Sequence, residues 1–499
     1  MKDNYRIKSF KNILYSALSQ IITILLGLIL PRLYLVNYGS EINGLLNSTN
    51  QFLVYLSLFE AGIGAVTLQA LYKPVAESDK GSANSILAAT NRYYKKTGAY
   101  YLGGLILLSV AYPFLAESSL SFGQVFSIVF FSGFSNVILF FFQGKYNILL
   151  QAEGKKYILT NLASIINILV GVGKLVLIIL GFDPVTIIVI SCFIRLIQAI
   201  YIVYYIKRDY KWIDLSVTPN NTAIGQRNYT LIHQFAGMIF QNTDLLILTV
   251  FCDLKVVSIY SIYKLVTTEL ERLLTILTDG TNFALGQLFQ TNIERFKQMI
   301  DVFASLYSAV AFALFSVALG LYLPFIQLYT DGVSDTEYIN PYLPFLFVAI
   351  SLLTVMRTPM LYTINYAGHF KLTTPQTIIE TVINLVVSLV CVKFLGIYGV
   401  LMGTVVALFY RTNDIILYSN IKILKRSPLK TYCIYLLCIG TLVGLQFLYF
   451  IIPVEANTWV MFGVTGILYT VISLVAMFSV QAVVFPQHIK ILFRFIKHR

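Results

Sequence analysis

The chain has 499 residues, of which 57% are hydrophobic and only 12% charged, with a formal net charge of +13, and its mean hydropathy is +0.76. A soluble domain has about a quarter of its residues charged, so a soluble globular protein is excluded and a polytopic α-helical membrane protein is predicted. The positive balance by itself would also suit a nucleic-acid binder, a class that the placement of the charges argues against.

Fourteen apolar segments have the length and composition of spanning helices, which need roughly 20 residues. They cover 10–36, 42–71, 97–115, 122–149, 157–181, 184–206, 229–252, 256–283, 301–329, 341–366, 373–395, 397–421, 431–452 and 459–484. The first follows a basic start (Lys2, Arg6, Lys8, Lys11). No small-residue cleavage site comes after it, so it reads as a retained helix rather than a signal peptide.

An even number of spans puts both termini on one side. Of the 36 Lys and Arg, 27 fall in the termini and even-numbered connections, and three (Arg32, Lys255, Lys393) on the other side. The remaining six lie inside spans: Lys174, Arg195, Lys264, Arg272, Arg357 and Arg411. Cytoplasmic loops carry such an excess of positive residues. Both termini are therefore expected in the cytoplasm. The +13 is then a topology signal, and no nucleic-acid partner is expected.

Two longer basic connections, "RDYKWIDLSVTPNNTAIGQRN" and "KRSPLK", divide the chain. The expected layout is an N-lobe over 1–208 (spans 1–6), a cytoplasmic linker over 209–228 and a C-lobe over 229–424 (spans 7–12). Residues 425–499 add spans 13–14 and a basic tail. A repeat of the first six spans in the next six is usual in transporters, but the internal identity here is too low to establish one.

Span 8 contains "SIYKLVTTELERLLTILTDG", with five charges in an otherwise apolar chain. At 100° per residue, Ser261, Lys264, Thr267, Thr268, Glu271, Arg272, Thr275, Thr278, Asp279 and Asn282 fall within an arc of about 140° that contains no apolar residue. Such a stripe suits a helix lining a polar lumen. Two other readings stay open: an amphipathic helix lying on the membrane surface, and charges that pair with one another. An ionised side chain at the bilayer centre costs about 2.5–3.5 kcal/mol on insertion scales, so such groups normally face a polar interior.

Other spans carry polar groups as well. They include Glu60, Lys174, Arg195, Arg357, and Asp244 beside Gln241 and Asn242. Gln376, Glu380 and Asn384 share one face of span 11, and Arg411 and Asp414 are three apart on span 12. Pro31, Pro324, Pro344 and Pro359 lie within or at the ends of spans, where helices bend. The five cysteines show neither paired nor metal spacing, and the four histidines are scattered. There is no G-x-x-x-x-G-K-[ST] and no H-E-x-x-H. No metal, cofactor or enzymatic activity is expected, and the energy would come from a gradient, the membrane potential or the substrate's own gradient. Na+ or H+ coupling has Glu60, Asp244, Glu380 and Asp279 as candidate sites.

Three stretches, "YGSEINGLLNSTNQFLVYLSLFEAGIG", "ALYKPVAESDKGSANSILAATNRYYKK" and "TPQTIIETVINLVVSLVCVKFLGIYGVLMGTVVALFYR", together with "HQFAGMIFQNTDLLIL", resemble one family. It is the Wzx-type repeat-unit flippases, in the polysaccharide-transporter branch of the multidrug/oligosaccharidyl-lipid/polysaccharide (MOP) exporter superfamily. The likeness runs over spans 1–12. It implies two six-helix lobes around a central cavity and a cargo of undecaprenyl-diphosphate-linked oligosaccharide for capsule, O-antigen or exopolysaccharide synthesis. Membrane lipids, a polysaccharide polymerase and glycosyltransferases would be partners. It also implies a cationic lumen for the diphosphate, assigned here to Arg32, Lys174, Lys264, Arg272 and Arg357, with Arg195 and Arg411 as further cations and Thr268 and Thr275 facing the sugar. A lipid II flippase, a cation-coupled drug exporter of the same superfamily and a membrane polysaccharide polymerase are the alternatives.

Overall fold

The computed structural model describes residues 2–60, 63–222, 242–451 and 456–488. These residues are α-helical, and the β structure among them is one isolated bridge, Glu117 to Asp253. Ten of the described helices are long and apolar enough to cross a membrane. Their outward rows are bare hydrocarbon: Phe394 and Phe450 are each 82% exposed. Contiguous apolar surface of this kind needs an apolar solvent. The protein is a multi-pass membrane protein.

The chain divides into two compact units, Met1–Ser258 and Ile259–Arg499. Unit 1 contains α1 (Lys2–Leu56), α2 (Ile63–Ala76), α3 (Lys80–Leu115), α4 (Phe122–Ile138), α5 (Gly144–Ala152), α6 (Lys156–Ile179) and α7 (Pro184–Asp209). Asn242–Phe251, the described part of the seventh span, is α8. Helix α9 (Leu254–Thr291) begins in unit 1 and continues into unit 2. Unit 2 adds α10 (Ile293–Tyr329), α11 (Leu343–Tyr366), α12 (Phe370–Leu395), α13 (Ile397–Tyr418), α14 (Leu429–Ile451) and α15 (Trp459–Val484).

Helix starts follow local chemistry. Ser121 and Gln124 form a reciprocal capping box at α4, and Asp183 caps α7 with Pro184 at the first helical position. The Thr186 hydroxyl and backbone N–H hold the Asp183 carboxyl below its ordinary pKa. The first two expected spans differ from the expectation. They run together as α1, broken only at Gly39, whose φ of 82° is open to glycine. The second span is itself interrupted: a 3-10 turn at Ser57–Phe59 precedes α2. Helix α3 starts at Lys80, well before the apolar run at 97, because Asp79 caps it by accepting from Ser82 N–H.

Within each unit the connections sort to two ends. In unit 1, Asn84 bonds Trp212 O at 3.0 Å, Ser85 O accepts from Asn220 N–H at 3.0 Å, and Lys155 reaches Tyr210 at 2.7 Å. The basic connections after α2, α5 and α7 therefore meet at one end. At the other end Glu41 accepts from Ser118 and Ser119, Tyr38 donates to Phe182 O, and Glu117 meets Asp253. Unit 2 repeats the pattern, with Arg426 and Lys430 on Asp301 and Arg426 also donating to the Lys297 carbonyl at one end, and the 331–340 segment against Tyr263 at the other. The helices thus alternate in direction as the span order requires. Residues 242–258, which the sequence assigns with the second lobe, pack in unit 1 because Thr243, Thr249 and Ser258 bond Tyr55, Ser48 and Asn43 of α1. Helices α14 and α15 pack on α10 through Phe312, Leu321, Leu442 and Tyr469.

Candidate functional site

Unit 1 contains a cavity of about 390 Å3 between α1, α4, α6 and α7. Each helix contributes one face. Asn50 and Ser57 come from α1 and the turn after it, Ser132, Ser135 and Asn136 from α4, Lys174 from α6, and Ser191, Cys192 and Arg195 from α7. The spacings i, i+3, i+4 on α4 and i, i+1, i+4 on α7 place these small polar residues on a single helical face. Lys174 is half-buried, with its ammonium 6.0 Å from the Tyr34 ring centroid, and Arg195 is more exposed. The Asn136 amide donates to Tyr101 at 3.1 Å, which fixes its orientation. No carboxylate lines this cavity, and neither cation is in an ion pair among the described residues.

Unit 2 treats its charges differently. Arg357 donates to Glu380 at 2.8 Å. Arg411 lies 3.5 Å from Glu380, donates to Asp414 and reaches Thr377 at 3.1 Å. Glu380 and Arg411 are each 4% exposed, so this is a buried network of two cations and two anions. Glu380, a candidate for ion coupling, stands between two guanidinium groups.

The polar stripe of α9 is helical as expected, and several of its members have partners on the same helix or on α11. Arg272 donates to Glu269 at 3.0 and 3.1 Å. Glu271 accepts from the Ser351 hydroxyl at 2.5 Å, and the Lys264 ammonium lies 5.4 Å from the Tyr260 ring centroid. The Thr267, Thr275 and Thr278 hydroxyls donate to carbonyls three residues back, while Thr268 is half-buried. The Asp279 side chain lies outside the described residues.

The other singled-out residues stand apart from the cavity lining. Arg32 is half-buried on α1, and Asp244 is buried on α8. Glu60 follows the 3-10 turn and accepts from Tyr94 OH at 2.6 Å. Sequence reasoning named both cavity cations but not the hydroxyls and amides around them. The Ser132/Ser135/Asn136 spacing in an apolar helix was the signal available for those.

No protein-family model matches the chain, and a search of characterised proteins finds no relative by sequence. Solved structures do resemble it. The lipid II flippase MurJ, in an inward closed conformation, aligns over 94% of this chain and 99% of its own, with a TM-score of 0.70 at 13% identity. An inward-facing multidrug-resistance MATE transporter of the MOP superfamily aligns over 81% of this chain and 95% of its own, with a TM-score of 0.64 at 16% identity. The chain has the fold of MOP-superfamily transporters.

Proposed function

We propose that this protein is a flippase. It carries an undecaprenyl-diphosphate-linked oligosaccharide repeat unit across the bacterial cytoplasmic membrane, with both termini on the cytoplasmic side. The observation that carries the reading is the positive charge of Lys174 and Arg195, which are in no ion pair among the described residues, held inside membrane-spanning helices and facing a polar cavity. An anionic head group suits such a lining. A cationic drug does not. The MurJ-like fold supports a lipid-linked cargo, and the basic and acidic ends of each unit support the orientation.

Alternating access would move the diphosphate and sugars while the polyprenyl tail stays in lipid. Coupling to Na+ or H+ through Glu60, Asp244 or Glu380 is part of the proposal. The test is reconstitution in proteoliposomes with defined lipid-linked oligosaccharides, lipid II and a cationic dye, each with and without imposed ion gradients. Movement of the oligosaccharide lipids is expected. Movement of lipid II alone would reassign the cargo, and movement of the dye alone would overturn the reading. A rate indifferent to both gradients would remove the three acids from the coupling step.

A further inference from the structure

Residues 415–454 carry four cations and no acidic residue. The four, Lys422, Lys425, Arg426 and Lys430, sit where one spanning helix, Ile397–Ile423, ends and the next, Leu429–Ile451, begins. Two of them are already engaged: Arg426 and Lys430 bond the buried Asp301 carboxylate. Lys422 and Lys425 are exposed and are in no ion pair among the described residues. The connection that presents them is firmly built. Helix α13 passes into a π turn, Ser419–Ile423. There the fully buried Asn420 side chain donates to Ile416 O at 2.9 Å and to Thr431 Oγ1 at 3.3 Å, and accepts from Arg426 Nε at 2.9 Å. Lys425 is held at a φ of 51°, a left-handed conformation that lysine rarely adopts. Backbone strain fixed by its surroundings and π turns both concentrate at functional sites.

We propose that this connection is a site for an anionic phospholipid of the surrounding bilayer, with the lipid phosphate on Lys422 and Lys425 and the acyl chains on the apolar surface beside them. Leu417 and Ile421 are exposed on the last turns before the connection, and Leu429, 69% exposed, opens α14. Hydrocarbon and unpaired charge therefore meet at the depth where a spanning helix leaves the apolar layer. A soluble anion uses only the charge, whereas an amphiphile needs both. Lysine stems can lie along hydrocarbon while their ammonium groups reach the head-group level, and cations just outside a spanning helix draw anionic lipid. The N-terminus of α14 opens at the same place and adds the positive end of a helix dipole. With Asp301 occupied by Arg426 and Lys430, the two remaining charges favour a lipid of net negative charge over a zwitterionic one, whose amine brings a further positive charge. The site belongs to unit 2 alone, and its occupant is a lipid of the bilayer rather than a transported molecule.

The experiment uses the full-length protein in phosphatidylcholine nanodiscs containing graded amounts of phosphatidylglycerol or phosphatidylcholine with brominated chains. Leu429→Trp places a fluorescent reporter at the site, and the signal of the native Trp212 and Trp459 is subtracted with the wild-type protein. Quenching should saturate at a lower mole fraction of the brominated phosphatidylglycerol, by about fivefold for each free lysine. Lys422→Ala combined with Lys425→Ala should remove the preference. Lys422→Arg combined with Lys425→Arg should keep it, which separates lost charge from lost folding. Lys211→Ala, at an exposed lysine near the basic end of unit 1, should change nothing. Equal quenching by the two lipids overturns the site, and so does a preference that survives the double alanine variant. Inorganic phosphate, added at matched ionic strength, should leave the preference intact; if it abolishes the preference, the ligand is a free phosphate ion and the lipid assignment falls. None of these readouts involves transport, so the lipid site and the flippase reading can fail independently.

Discussion

In unit 1 the seam between α1 and residues 243–258 is closed by neutral groups: Asn43 to Ser258 at 2.7 Å, Ser48 to Thr249 at 2.5 Å and Tyr55 to Thr243 at 2.9 Å. In unit 2 the contacts between α11, α12 and α13 include Arg357–Glu380 and Arg411–Glu380, and Asp301 ties α10 to Arg426 and Lys430. Hydroxyl and amide seams hold helices together without consuming charge. Ionic seams hold them with charge that is no longer free to meet a ligand. Using neutral glue in unit 1 leaves Lys174 and Arg195 available, and using ionic glue in unit 2 neutralises Arg357 and Arg411. The difference separates a unit whose cavity cations have no ion pair among the described residues from one in which Arg357 and Arg411 are already paired.

The largest effect should come from breaking the ionic seam. Glu380→Gln leaves Arg357 short of its partner and Arg411 with Asp414 alone in a site where the Glu380 side chain is 5% exposed. Removing one partner of a buried pair costs about 3–5 kcal/mol. The expected outcome is a large drop in thermal unfolding temperature in detergent, or little folded protein. Combining Glu380→Leu with Arg357→Met should recover most of that loss, because a well-packed apolar pair replaces the ions. If Glu380→Gln instead keeps full stability and abolishes only ion-driven transport, the network is functional and the contrast between the units collapses.

Asp301→Asn is the next test. Its carboxylate is 3% exposed and receives Arg426 at 2.6 and 3.0 Å and Lys430 at 2.8 Å. The Lys430 side chain is 47% exposed, so most of the effect resides in the arginine pair. A loss of about 1.5–3 kcal/mol is expected for charge-assisted bonds of this kind, visible as a lower unfolding temperature. A change below measurement error would show the seam to be solvated.

Hydropathy made most of the helices legible. The expected 184–206, 301–329 and 459–484 correspond to Pro184–Asp209, Ile293–Tyr329 and Trp459–Val484. It failed where geometry rather than composition decides. A single glycine at 39 turns the chain where a five-residue loop was expected, and the run 42–71 stays apolar through the 3-10 break at Ser57. The positions of charges were equally legible, because an ionised group in an apolar run stands out. Their state of compensation was not, because it depends on neighbours on other helices. Arg357 and Lys174 look alike in the sequence, yet one faces Glu380 and the other a cavity without acids.

A neutral seam should yield to sterics rather than to charge. A Cβ added at Gly44 would lie 1.9 Å from the Leu254 carbonyl oxygen, so α1 and the start of α9 would have to part. Overpacking of this kind typically costs about 1–3 kcal/mol. Gly44→Ala should therefore lower the unfolding temperature, as Asp301→Asn does in unit 2. The two should respond differently to salt: about 1 M NaCl should remove the part of the Asp301→Asn gap that comes from the exposed Lys430 and leave the Gly44→Ala gap unchanged. An equal salt response in both would mean that the seams do not differ in kind.

The smallest stability effect is expected at Arg272, and it bears most directly on the stripe of α9. The guanidinium pairs with Glu269 one turn away, and its side chain is 44% exposed. Pairs three or four residues apart on an exposed helix face contribute about 0.2–0.5 kcal/mol, so Arg272→Ala should leave the unfolding temperature almost unchanged. Transport is then the informative readout. If unit 1 alone holds the anion, Arg272→Ala should reduce oligosaccharide-lipid flipping by no more than about threefold, while Arg195→Ala reduces it at least tenfold, that ratio being about 1.4 kcal/mol of lost binding. Glu269→Ala, which frees Arg272 from its partner, should not lower flipping further. Should Arg272→Ala instead match Arg195→Ala, the α9 stripe would be a second cationic contact for the cargo. The division of labour between the units would then fail, because a cation that is paired in this structure would have to exchange Glu269 for the diphosphate during transport.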